Sequence, residues 1–290
     1  MKLGIGTAQF GMDYGITNSC GKISIAEVRK VLDLAKENGV RFLDTAWSYG
    51  CSESVLGQIL GDDASFSIIT KTPVLRKKLV VQQDVEKLLN GFYQSLERLR
   101  QAGTYGLLVH MVDDLLVPGG ELLWEALENL RNTGLVKKIG VSVYDTKQIG
   151  IVLEKYKIDI IQIPINVFDQ KLLLNGCLKR LKACGIEIHA RSVFLQGVLL
   201  ARLGELPKKF AELYPHLRHY YEFVYKHKWN PIQAALGFVA GIEHIDCAIV
   251  GVDGYRQLRE IIDNYIELDP RIFASVVSSS CLLNPTNWRM

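Results

Sequence analysis

Eight short apolar runs recur along this chain, with a helical pattern between successive runs. That alternation constrains its fold more than any other feature. The runs are Leu3–Thr7, Arg41–Asp44, Ser67–Lys71, Tyr105–His110, Lys138–Ser142, Ile158–Pro164, Ile186–Arg191 and Cys247–Gly251. They are rich in Ile, Val and Leu and mostly apolar on both faces, as strands of a parallel sheet covered on both sides must be. Helix punctuation lies between them. Ser24 and Glu27 form a capping-box pair ahead of the stripe Ile25, Val28, Val31, Leu32 and Ala35, and Gly39 stops that helix. Val81, Val85, Leu88, Phe92, Leu96 and Leu99 form a second stripe. Gly134 and Gly185 end two further helices, Asn230 with Pro231 opens another, and a last helix is predicted over about Tyr255–Tyr265. Eight strands alternating with helices in 290 residues predict one α/β domain over 1–290, a parallel (β/α)8 barrel with a C-terminal tail over it. The competing doubly wound open sheet would carry a Gly-x-Gly-x-x-Gly turn after an early strand, and Gly4, Gly6 and Gly11 do not make one. The longest irregular stretch, Ser192–Trp229, reads as a helical insertion over the barrel mouth.

Composition narrows the partners. Lys and Arg number 34 against 31 Asp and Glu, and a net charge of +3 is too weak to recruit nucleic acid or an anionic membrane surface. No stretch of about 18 uninterrupted apolar residues marks a membrane span, and the glycine-broken N-terminus lacks the apolar core of a signal peptide. The six cysteines show neither CxxC spacing nor a close His partner, so no metal site is expected and free thiols in a reducing compartment are the simplest account. The chain therefore reads as cytoplasmic, and as a monomer or weak oligomer.

Active sites of this fold gather at the C-terminal ends of the strands. Strand two ends in Asp44, with Tyr49 five residues on; strand three ends in Lys71 and strand four in His110. Each residue alone has a plain structural role, as helix cap, surface charge, core histidine or packing ring. Together, at neighbouring strand ends, they suit one chemistry. A carbonyl that accepts a hydride develops negative charge on oxygen and needs a proton there. Tyr49 is the candidate general acid, and the Lys71 ammonium is expected to draw its pKa down from about 10 toward working pH. Asp44 would hold and balance Lys71, and His110 would orient the substrate oxygen. A lyase or epimerase using the Lys71 amine would need that lysine free of Asp44.

At these residues the sequence resembles the aldo-keto reductase family. The segment Phe42-Leu-Asp44-Thr-Ala-Trp-Ser-Tyr49-Gly50, followed by Ser52-Glu53 and Leu56-Gly57, is similar to the family's signature around its Asp and Tyr. The likeness runs from LGIGTAQFG at 3–11 to NPTNW at 284–288, and Lys71 and His110 complete the family's tetrad. It implies a nicotinamide cofactor held extended across the barrel mouth, NADPH as first choice and NADH as second, with no metal. Ser142 and Gln162 match the family's carboxamide ligands, with Val143 where an amide side chain is common; Asn166 follows the same pattern. Arg191 stands where many members stack a Tyr on the nicotinamide, and it either stacks likewise or pairs with a carboxylate at the mouth. Ser192 follows it as a further cofactor-binding candidate, and the Phe194–Gly197 stretch, Gln196 and Gly197 included, is expected near the pyrophosphate. Gly251, Arg256, Gln257 and Glu260 are expected at the adenosine end, although that stretch has no lysine and Asp253 disfavours a phosphate.

Trp47, Met111 and Trp229 are the candidates for an apolar substrate wall, and Asp113, Asp114 and Arg218 would suit a hydroxylated aldehyde. The resulting expectation is an NAD(P)H-dependent reductase of a small-molecule carbonyl. The alternative is a catalytically weak nicotinamide-binding barrel serving as a redox-sensing or regulatory subunit.

Overall fold

A computed structural model describes residues 2–276, 281–283 and 288. Its strands are β1 (Lys2–Gly6), β2 (Phe42–Asp44), β3 (Ser67–Lys71), β4 (Thr104–Val109), β5 (Val136–Ser142), β6 (Ile160–Pro164), β7 (Glu187–Arg191) and β8 (Cys247–Gly251). They pair in parallel and in sequence order, and β8 closes on β1 through the register Lys2↔Cys247 to Gly6↔Gly251. The helices in the first half are α1 (Ala8–Gly11), α2 (Ile25–Glu37), α3 (Ser52–Leu60), α4 (Gln82–Leu99), α5 (Asp113–Leu116) and α6 (Gly120–Asn132). Those in the second half are α7 (Thr146–Lys155), α8 (Lys171–Leu174), α9 (Cys177–Ala183), α10 (Tyr214–Lys226), α11 (Pro231–Ala240) and α12 (Tyr255–Asp263). The eight expected strands are all present, with ends displaced by at most two residues. Among the described residues no helix is long and apolar enough to cross a membrane.

Two apolar layers follow from strands that bury both faces. Inside the barrel, Phe42, Ile69, Leu108, Ile160, Cys247 and Ile249 pack together with Tyr105 against them. Outside, the strands' other faces meet the helix stripes; Val28, Val31 and Leu32 of α2 and Val85, Leu88 and Phe92 of α4 are buried there. The glycines expected to stop helices do follow them in the left-handed region, with φ of 72° at Gly39, 81° at Gly134 and 73° at Gly185.

One predicted cap forms only by half. Ser24 Oγ accepts the Glu27 N–H at 3.3 Å, but the Glu27 carboxylate does not return to Ser24. It reaches across to α12 and accepts the Tyr255 N–H at 2.8 Å. The closed barrel sets α2 beside α12, and the free N-terminal amides of α12 compete for that carboxylate.

The insertion after β7 consists of short 3-10 turns followed by α10. The described part of the C-terminal tail packs against α10, α11 and the 3-10 turn before α10: Phe273 meets Phe223 and Phe238 at ring separations of 5.2 and 5.4 Å, and Trp288 meets Phe210 of that turn at 5.0 Å. Residues 284–287 of the NPTNW segment lie outside the described residues.

Candidate active site

Parallel strands deliver their C-terminal residues to one rim. Asp44 closes β2 and Lys71 closes β3, at 4% and 1% exposure, and His110 follows β4 by one residue. Tyr49 sits in the loop after β2, turned back by its own N–H donating to Ala46 O at 3.0 Å. Gly50 fixes that turn. Its φ is +56°, and a Cβ there would lie 2.4 Å from Gly11 O. Only glycine lets this loop rest on the turn after β1.

The Lys71 ammonium donates to both Asp44 oxygens at 2.7 Å, to Thr45 O at 3.0 Å and to Tyr49 Oη at 3.4 Å. Gln162 Nε2 donates to Asp44 Oδ1 at 2.7 Å. The Tyr49 and His110 rings meet edge to face at 5.8 Å. His110 Nδ1 lies 3.2 Å from Ser48 Oγ; with that hydroxyl donating, the ring proton resides on Nε2.

Electrostatics correct one expectation. Burial pushes the Tyr49 phenol well above its ordinary value, Asp44 adds to the rise and Arg191 opposes it. The expected downward pull by Lys71 does not prevail, because both oxygens of Asp44 hold that ammonium and the pair presents little net charge to the phenol. Burial also draws Lys71 below the usual lysine range, against the pull of Asp44. His110 is lowered to about 3, by burial first and then by the Lys71 and Arg191 charges. The free site therefore holds a protonated phenol beside a neutral imidazole.

These four side chains open on one cavity that continues past Ser142, Gln162 and Arg191 to Gly251, Asp253 and Gln257, with Ser192, Gln196 and Gly197 along its flank. Ser142 and Gln162 are register partners on β5 and β6. The Ser142 hydroxyl and Gln162 Oε1 have no hydrogen-bond partner among the described residues. A hydroxyl donor beside an amide acceptor is the pair that a primary carboxamide, such as that of nicotinamide, requires. Ser192, Leu195, Gln196 and Gly197 all have positive φ, between 48° and 90°, in a tight loop closed by the Leu195 and Gly197 N–H groups donating to Ser192 O and Phe194 O. By donor chemistry, the cavity fits a dinucleotide.

Arg191 takes neither of its expected forms in full. It pairs with no carboxylate among the described residues; its guanidinium lies 4.2 Å from the Tyr144 ring centroid and donates to Val143 O at 2.9 Å. The ring on which it stacks is the protein's own. Asn166 stays out of the cavity: its Nδ2 donates to Ser192 O and its Oδ1 accepts from Phe168 and Asp169 N–H, so it shapes the loop. Arg256 and Glu260 are exposed on α12 and do not line the cavity, while Gln257 Oε1 is spent on the Asp253 N–H at 2.7 Å.

None of the three expected substrate-wall residues lines the cavity. Trp47 faces outward between Gln94 and Arg98. Trp229 stacks between His227 and Phe273 at 4.7 and 6.0 Å. Met111 accepts, through its carbonyl, the Asp114 N–H that starts α5. Asp114 is structural as well, accepting the Leu75 and Arg76 N–H groups, Asp113 accepts from Gln148, and Arg218 is exposed. In their place the cavity has Tyr14, Tyr144 and Gln9. Burial pushes the Tyr14 phenol up to about 12, with Tyr49 adding to the rise. The available signal was position: Gly11–Gly21 is a turn-rich stretch directly after β1, at the end of the barrel where sites are built.

Known proteins agree with this architecture. The family model described as Aldo/keto reductase family matches residues 2–280. An NAD(P)H-dependent 6'-deoxychalcone synthase of Glycine max is 27% identical over 191 residues, 59% of this chain and 59% of that protein. A glyoxal reductase of Bacillus subtilis is 29% identical over 188 residues, 60% of each chain. The chain thus spans less than two thirds of the length of the curated relatives it matches. An aldo-keto reductase of Bacillus halodurans in its holo form superposes with a TM-score of 0.76 at 18% identity, covering 96% of this chain and 93% of that one. A glycerol dehydrogenase of Gluconobacter oxydans gives 0.71 at 18%, covering 94% and 90%. At such identities the likeness concerns the fold.

Proposed function

The chain belongs to the aldo/keto reductase family, and from that membership we propose that it is an NAD(P)H-dependent reductase of a small aldehyde or ketone with Tyr49 as general acid. The observation that carries this reading is the Lys71 ammonium, 2.7 Å from both Asp44 oxygens and 3.4 Å from Tyr49 Oη, at the floor of a cavity that also holds His110. When bound, the dinucleotide supplies the hydride. Ser142 and Gln162 would hold its carboxamide, and the 192–197 loop, which lines the cavity with Ser192, Gln196 and Gly197, would face its pyrophosphate.

The chain's own groups handle the oxygen and the proton. His110, neutral above about pH 3, donates from Nε2 to the carbonyl oxygen and fixes its direction. The Tyr49 hydroxyl then gives its proton to that oxygen as negative charge grows there. Its raised pKa keeps the acid form populated at working pH, and an alkoxide is basic enough to take the proton. Lys71 donates to the phenolate left behind and Arg191 adds positive field, so the cost of forming it is shared. Asp44, with Gln162 and Thr45, keeps Lys71 aimed at Tyr49. A Lys71 held this way is not a free amine nucleophile, which weighs against the lyase and epimerase reading. The hydrogen-bonded chain Asp44–Lys71–Tyr49, with His110 edge-on to the Tyr49 ring, likewise favours an enzyme over a regulatory barrel. The unpaired thiols of Cys20, Cys51, Cys177, Cys184 and Cys247 suit a reducing, cytoplasmic setting.

Dinucleotide oxidation followed with a panel of aldehydes tests the proposal. Tyr49→Phe should lower kcat by roughly 10²–10⁴ while the dinucleotide Kd, read by tryptophan fluorescence, stays within about threefold. Turnover undiminished by the substitution would remove Tyr49 from the chemistry.

A further inference from the structure

We propose that this site prefers NADH to NADPH, because the Asp253 carboxylate lines the end of the cavity where the 2′ position of an adenosine ribose would fall, and the Glu27 carboxylate takes the first amide of α12 beside it. The inference rests on the dinucleotide reading above. The barrel's strand order lays the cavity out in one direction. Acid and orienting groups come from β2 to β4, the carboxamide pair from β5 and β6, and the positive-φ loop from β7. Hydride transfer requires the nicotinamide near Tyr49. The other nucleoside would then lie against the loop between β8 and α12, which presents Asp253 to the cavity.

Asp253 is an anion without a counter-charge. Its contact is Gln9 Nε2 at 3.5 Å, and no ion pair reaches it among the described residues. Burial raises its pKa, as befits a carboxylate that nothing neutralises. A ribose with free 2′ and 3′ hydroxyls donates hydrogen bonds to such a group. A 2′-phosphate brings about −1.5 to −2 of charge to the same place.

The usual refuge for that phosphate is partly taken. A helix N-terminus attracts phosphate through its free amides, but the first amide of α12 already donates to Glu27 Oε1 at 2.8 Å. This hydrogen bond is the main reason the Glu27 carboxyl is held below the usual range, so the group is firmly ionised. Gly254 lies against the same carboxylate, where a Cβ would be 3.1 Å from Glu27 Oε1. Lys30 donates to the other Glu27 oxygen at 3.2 Å, so part of that charge is paired, whereas no ion pair reaches Asp253 among the described residues. Arg256 is exposed and its charge acts on Glu27, and Arg259 donates to Tyr255 Oη at 3.1 Å.

Equilibrium titration of the purified protein with NADH and with NADPH, read by tryptophan fluorescence quenching, decides the matter. NADH should bind at least about tenfold tighter, and the ratio should shrink as salt rises, since the penalty is coulombic. Glu27→Gln keeps an oxygen for the Tyr255 N–H but removes the charge; it should tighten NADPH severalfold and leave NADH unchanged. Asp253→Asn should weaken NADH and tighten NADPH, collapsing the ratio. NADPH binding as tight as NADH in the unsubstituted protein overturns this inference alone. Binding of neither overturns the dinucleotide reading and this inference with it.

Discussion

Lys71 and Asp44 show how much a single buried pair decides. Both are nearly inaccessible, and the pair is held by Gln162 and Thr45 O as well as by itself. Such a pair adds little over an apolar substitute, but breaking it strands a charge in a low-dielectric site, at a cost of about 3–5 kcal/mol. Lys71→Met should therefore lower the urea midpoint severely, and Asp44→Asn added to it should restore much of the loss. If the double variant is no more stable than the single one, the penalty has another source. This pair was legible in the sequence because both residues end strands, and strand order in a closed barrel fixes which ends are neighbours. Tyr14 and Tyr144 were not legible. Both lie on loops whose course depends on partners distant in sequence, such as the Ile16 N–H donating to Gln196 O at 3.1 Å. Trp229 was misplaced for a related reason: an aromatic at the end of an irregular insertion reads equally as cavity wall or packing, and Phe273 claims it.

At the level of elements, close approach of backbones sets the spacing of the outer helices. A Cβ on Gly57 of α3 would lie 2.0 Å from Arg98 O and 2.8 Å from Leu99 C, at the end of α4. That approach lets Arg98 reach Glu53 at 2.6 Å, and Glu53 in turn accepts from Thr70 of β3 at 2.6 Å. Gly57→Ala must push the helices apart and loosen this chain of contacts to the barrel wall. Overpacking of this kind costs about 1–3 kcal/mol, which should lower Tm by several degrees in a thermal melt. Gly134→Ala is the comparison: its φ is +81°, but nothing lies within 4 Å of the added carbon, so only backbone strain of about 1 kcal/mol applies. Equal Tm losses would show that contact at Gly57 is not limiting. The sequence announced the strands and the helix stops because apolar runs and left-handed glycines act locally. The destination of Glu27 was illegible for the opposite reason. A capping box and an inter-helix contact draw on one carboxylate, and only the closure of β8 onto β1 brings the competitor, Tyr255 N–H, within reach.

Over the whole molecule, the two ends of the barrel share one dependence on pH. At the C-terminal rim His110 is held at about 3, against an ordinary 6.5. The unfolded chain then takes up this proton before the folded one, so stability falls as pH drops below about 6.5, and this loss is complete near 3. At the opposite end Glu187 accepts from Tyr105 Oη at 2.7 Å, lies 2.6 Å from His189 Nε2 and pairs with Lys138. Burial alone would raise its pKa, but these partners outweigh it and set the carboxyl at about 2, against 4.5. That contribution is intact above about pH 4.5 and is lost as pH falls toward 2. Urea midpoints measured from pH 7 downward should therefore decline in two stages, with each group changing the unfolding free energy by at most about 1.4 kcal/mol per pH unit for its one proton. His110→Gln should flatten the stage between about pH 6.5 and 4.5 and leave the lower one. Glu187→Gln should lower the midpoint at pH 7 and flatten the acid stage instead. The stages should respond separately because the two groups sit at opposite rims, with the apolar interior layer of Phe42, Ile69, Leu108 and Ile160 between them. A midpoint that stays level from pH 7 to pH 5 in the unsubstituted protein would mean that the His110 imidazole titrates freely, and the neutral, oxygen-orienting role would lose its electrostatic basis.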